Sequence, residues 1–94
     1  METQIRVELA LVNASPPLRA LSDVTLVWDG GEVTIRRCAV FEKRSEPPWV
    51  NFPRLPIQRE GQKTLATIID LPGELRKRVY AAILDEYRQK RDLS

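Results

Sequence analysis

Histidine is absent from this 94-residue chain, and cysteine occurs once, at Cys38. The first absence removes the side chain most often used for proton transfer near neutral pH and for metal ligation, and no cluster of Cys or Asp has metal-ligand spacing. A single cysteine cannot close an internal disulfide, and Cys38 has no histidine in the chain to activate it, so it reads as a packed thiol. No pair of carboxylates is singled out for acid/base work. These absences argue against an enzyme, a cofactor and a small-molecule substrate. No apolar run approaches the roughly 18 residues of a membrane span. Met1-Glu2-Thr3-Gln4 lacks the basic start and apolar stretch of a secretory signal, so the expected location is the cytoplasm, away from membrane. A strong charge of either sign is missing too: 15 Lys and Arg against 13 Asp and Glu give +2, too little to announce a polyanion partner by bulk charge.

What the chain has is alternation. Ile5, Val7, Leu9 and Leu11 alternate with Arg6, Glu8 and Ala10, the period of a strand with one buried face. Asn13-Ala14-Ser15-Pro16-Pro17 stops the pairing, because proline cannot donate to a ladder. A second strand over Leu18 to Trp28 places Ala20, Val24, Leu26 and Trp28 on one face and Leu21, Thr25 and Val27 on the other, which suggests burial on both sides. Asp29-Gly30-Gly31 predicts a tight hairpin into a third strand, Glu32 to Phe41, because such turns use positive φ values that glycine tolerates. Alternation in that strand sets Val33, Ile35, Ala39 and Phe41 against Thr34, Arg36, Cys38 and Val40, and Arg37 falls at an otherwise apolar-facing position, which implies a sheet edge, an acidic partner or a slip in register.

After a charged loop, Glu42 to Pro48, Trp49 to Phe52 reads as a short strand ended by Pro53. Arg54 to Lys63 reads as a second polar loop, and Thr64 to Ile69 as a fifth strand rich in β-branched residues. Pro72 to Arg91 forms an amphipathic helix. Pro72 suits its first turn, Asp70 is an alternative cap, and Glu74 favours the positive end of the dipole. Its core stripe is Leu75, Val79, Ala82, Ile83 and Tyr87, broadened by Tyr80 and Leu84. The fold class is therefore α+β: one domain over residues 1–94, with a small, mostly antiparallel sheet of about five strands and one C-terminal helix. A sheet with one bare apolar face is marginal at this length, so we expect a homodimer through the sheet.

Basic residues cluster at Arg36 and Arg37, at Lys43 and Arg44, at Arg76 to Arg78, and at Arg88, Lys90 and Arg91. Acidic neighbours interrupt most of these groups, so solvated faces explain them by default. Arg54, Arg59 and Lys63, following Trp49 and Phe52, form the one constellation of cations beside aromatics. Such a constellation suits phosphates and stacked bases, although core aromatics and a solvated loop give the same residues.

The order of elements resembles the stage V sporulation protein G family of small bacterial septation regulators. The resemblance is carried by Ile5-Arg6-Val7, Ala20-Leu21-Ser22-Asp23-Val24-Thr25-Leu26, Val33-Thr34-Ile35-Arg36, Trp49-Val50-Asn51-Phe52-Pro53 and Ala81-Ala82-Ile83-Leu84-Asp85-Glu86-Tyr87. It implies a sheet with a C-terminal helix, a homodimer, and DNA or RNA binding in the control of gene expression, linked to septation, sporulation and cell division. On that resemblance Arg54, Arg59, Lys63, Arg88, Lys90 and Arg91 are the expected nucleic-acid contacts. The segment Thr64 to Pro72 departs from the family, lacking its Arg-Asp pair and His-Pro step. A protein-interaction module acting on division or envelope machinery is the alternative, suited to the near-neutral charge and the two-faced second strand.

Overall fold

A computed structural model describes residues 3–13, 15–59, 61–67 and 70–93, with backbone alone for 54–59 and 62–67. The expected strands form first. β1 (Gln4–Leu11), β2 (Leu18–Trp28), β3 (Gly31–Phe41) and β4 (Trp49–Asn51) make one antiparallel sheet in the order β1-β2-β3-β4. Helix α1 (Gly73–Leu93) covers one face of it, its buried Val79, Ile83 and Tyr87 meeting Leu9, Ala20, Val24, Leu26, Ile35, Cys38 and Val40. Side chains such as Val24 and Ile83 are wholly inaccessible, and each such burial contributes roughly 1.5–3 kcal/mol.

The α+β class, the antiparallel pairing and the C-terminal helix agree with the sequence; the number and grouping of strands do not. Among the described residues there are six strands in two sheets, rather than about five in one. The polar loop expected over Arg54 to Lys63 is instead most of a hairpin, in which β5 (Arg54–Arg59) pairs antiparallel with β6 (Gln62–Thr67). Each strand of a two-stranded sheet is an edge, which is why Pro56 is tolerated opposite Leu65. The fifth strand expected over Thr64 to Ile69 is the return arm of this hairpin, and Ile68 and Ile69 lie outside the described residues.

The question raised by Arg37 resolves as a bulge with an acidic partner. Ser22 pairs with Cys38 and Val24 with Ile35, so Asp23 faces both Arg36 and Arg37. Arg37 adopts φ 61°, and its N–H donates to Asp23 Oδ1 at 3.2 Å while Arg36 Nη1 donates to Oδ2 at 3.0 Å. The extra residue turns the strand over. Ile35, Cys38 and Val40 therefore share the core, whereas strict alternation had grouped Ile35 with Ala39 and Phe41.

At the β2–β3 hairpin the turn residues are Asp29 and Gly30, and the positive φ belongs to Gly31, at 150°, where the expectation had put it in the turn itself. Helix α1 opens one residue later than expected: Arg76 N–H donates to Pro72 C=O at 2.8 Å, making Pro72 the cap residue. Asp70 is exposed and makes no hydrogen bond among the described residues.

Candidate nucleic-acid interface

The helix-end cations are held by their own protein. Lys90 Nζ donates to the Leu9 carbonyl, and Arg88 stands 3.8 Å from Asp85. Arg91 Nη1 donates to Glu42 Oε2 at 3.0 Å, its Nε lies 3.4 Å from Asp92 Oδ1, and its guanidinium sits 5.5 Å from the centroid of the Tyr87 ring. Tyr87 Oη donates to the other oxygen of Glu42 at 2.6 Å. Glu42 thus joins the end of β3 to the last turns of α1. The phenol's hydrogen bond, reinforced by Arg91, holds its carboxyl below the ordinary value of 4.5 against the opposing effect of burial. Burial, then the Glu42 carboxylate, pushes the Tyr87 phenol up.

The loop cations are divided by the hairpin. Arg54 opens β5, Arg59 ends it, and Lys63 pairs opposite Gln58 in β6. Arg54 therefore stands about 17 Å along the hairpin from Arg59, at about 3.4 Å per residue, and the structure does not gather the three residues into one loop. Their side chains lie outside the described residues.

The two aromatics expected beside them also separate. Phe52 is core, 6 % exposed, and meets Tyr80 edge-on at 4.9 Å. Trp49 faces the other way. Val40 pairs with Val50 inside the core, so the next pair, Phe41 and Trp49, projects from the sheet face opposite α1. Their rings stack with centroids 5.6 Å apart and planes 19° apart. Both are half-buried and outside the helix-side core.

Lys43 and Arg44 follow Phe41 by two and three residues, in a turn closed by Glu46 N–H donating to Lys43 C=O at 3.2 Å, with Ser45 at φ 69°. Both are exposed, and among the described residues neither makes an ion pair. With Arg19, Glu42, Ser45 and Glu46 they line a shallow groove of about 430 Å³. The stacked pair and these two cations are the arrangement that site prediction from sequence missed. The signal was present: β3 ends in an aromatic, a basic pair follows, and the partner strand begins with Trp49.

Elsewhere on the sheet face opposite α1, polar side chains pair across the strands. Arg6 Nη2 pairs with Glu32 at 3.0 Å, Arg36 with Asp23 at 3.0 Å, and the hydroxyls of Thr25 and Thr34 meet at 3.0 Å. Cys38 is fully buried, and burial, with the Asp23 charge, pushes its thiol up to about 12, so it holds its proton at neutral pH. Among the described residues no group of three or more His, Cys, Asp or Glu is placed to hold a metal ion, and no helix is long and apolar enough to cross a membrane. Comparison of the chain with family models, with curated proteins and with solved structures found no match.

Proposed function

We propose that this chain is a dimeric nucleic-acid-binding regulator of the kind its resemblance to the stage V sporulation protein G family implies, acting on single-stranded DNA or RNA. The observation that carries this reading is the Phe41–Trp49 stack on the sheet face away from the helix, with the exposed Lys43 and Arg44 two and three residues after Phe41. An aromatic surface accepts bases of any sequence, and cations beside it neutralise the phosphates that link them. Arg54 follows Trp49 by five residues and extends the basic stretch along the chain, with Arg59 and Lys63 farther along the hairpin.

Fluorescence anisotropy with labelled single strands, duplex and RNA over a salt series tests the reading. Saturable binding with a steep salt slope is expected, weakened by Trp49→Ala and, similarly on unrelated sequences, by the joint replacement of Arg54, Arg59 and Lys63 with Ala. No binding at low salt would overturn it. The second reading, a protein-interaction module without nucleic-acid binding, draws on the ion pairs Arg6–Glu32 and Arg36–Asp23, which neutralise much of the same sheet face. Recovery of one protein partner after nuclease treatment, together with no anisotropy change, would favour it.

A further inference from the structure

The outer edge of β1 is matched to itself. Val12 N–H donates to Arg19 C=O at 3.0 Å, which sets the phase of the β1–β2 ladder: even-numbered residues bond to β2, and the N–H and C=O groups of the odd-numbered residues point outward. Two helix cations confirm the phase, since Arg78 Nη2 donates to Thr3 C=O at 2.8 Å and Lys90 Nζ to Leu9 C=O. They guard the two ends of the edge. Between them, no described group bonds the outward N–H and C=O of Ile5 or of Val7. An eight-residue edge without proline or bulge is a template for another strand.

We infer that the occupant is a second copy of this chain, added antiparallel through β1 with the two-fold axis at Val7. That register is the one in which every pairing agrees. Outward groups meet outward groups, because Val7 opposes Val7 and Ile5 opposes Leu9, all odd-numbered. On the helix side the facing side chains are then apolar: Ile5 and Val7 already pack against the core beside buried Leu9. On the other side Arg6 of each copy stands opposite Glu8 of the other, an opposite-charge pair formed twice by symmetry. Arg6 keeps Glu32 as its partner within the protomer and bridges both acids. The Leu9 carbonyl accepts Lys90 on one lone pair and the second strand on the other. Shifting the register by one residue would face outward groups with groups already spent on β2, and a two-residue shift would separate Arg6 from Glu8.

This inference deepens the dimeric part of the proposed function and predicts an exchange experiment. Arg6→Glu alone sets Glu against Glu at both pairs, and Glu8→Arg alone sets Arg against Arg. A mixture of the two variants restores both pairs in the heterodimer. Contacts within each protomer are the same before and after exchange and cancel. Native mass spectrometry of an equimolar mixture should show a ratio of heterodimer to total homodimer about fivefold above the statistical one. Val7→Pro supplies the backbone test: its lost N–H points away from β2, so the protomer's ladder is intact, while the central bonds of the dimer are removed. The variant should be folded by circular dichroism and monomeric by sedimentation. A wild-type monomer at tens of micromolar, a statistical mixture, or a dimer indifferent to Val7→Pro would overturn the inference. Anisotropy on the Val7→Pro monomer reads nucleic-acid binding separately, so failure of the interface and failure of the binding site are distinguishable.

Discussion

Arg37 occupies left-handed backbone at φ 61° without the freedom of glycine, and the compensation is visible in Asp23, whose carboxylate takes the Arg37 N–H and the Arg36 guanidinium together. Left-handed geometry costs an L-residue about 1–2 kcal/mol, and glycine's extra unfolded entropy takes back about 0.5–1 kcal/mol. Arg37→Gly should therefore stabilise the protein by about 0.5–1 kcal/mol, while Asp23→Ala should destabilise it by about 1 kcal/mol or more. Urea denaturation reads both signs. Glu42 gives the corresponding pH prediction. Its folded carboxyl is held below 4.5, so the stability it contributes is fully present above its unfolded value and is lost as pH falls through the folded one. Thermal midpoints of the wild type should fall more steeply below about pH 4.5 than those of Glu42→Gln. Equal slopes would remove the Tyr87–Glu42–Arg91 link as the acid-sensitive element.

At the scale of elements, period-two alternation located β1, β2 and β4 closely and period-3.6 apolarity located α1, because each buries one face against a common core. Two failures share a cause. Strict alternation ran through β3 without allowing the extra residue opposite Asp23, so its faces were misassigned beyond Ile35. The β5–β6 hairpin was read as loop because Pro56 and the polar residues of Arg54 to Lys63 match no half-buried strand, yet Leu55 and Ile57 alternate, and Arg59 pairs with Gln62 across a turn that holds Gly61. The candidate site was legible in part: Trp49 and a basic neighbourhood were, while its pairing with Phe41 depended on register, which composition does not carry. The β2–β3 turn provides the element's own test. A methyl at Gly30 meets the indole of Trp28 at 3.1 Å, a side chain 36 % exposed that can swing aside, whereas Gly31 needs its φ of 150°. Gly31→Ala should cost about 1 kcal/mol more than Gly30→Ala in chemical denaturation.

At the scale of the whole molecule, cations divide by what they are already holding. Arg78, Lys90 and Arg91 tie α1 to β1 and to the end of β3, so their charge is engaged in folding. Lys43 and Arg44 hold no acid among the described residues and follow Phe41 by two and three residues, in the turn that leads to Trp49. Two double variants should consequently behave in opposite ways. Lys43→Ala with Arg44→Ala removes two prospective phosphate contacts; the logarithmic salt slope of single-strand binding should shrink by about 1.4, at about 0.7 per contact, with an unchanged thermal midpoint. Lys90→Ala with Arg91→Ala removes the lysine donor from the Leu9 carbonyl and the arginine from the Glu42 carboxylate, leaving Tyr87, among the described residues, as the one donor to Glu42. That variant should show a lower thermal midpoint while its salt slope stays near that of the wild type. If the helix-end variant instead keeps its stability and loses the slope, the interface lies along the end of α1, where the resemblance had placed it, and the sheet-face site is wrong.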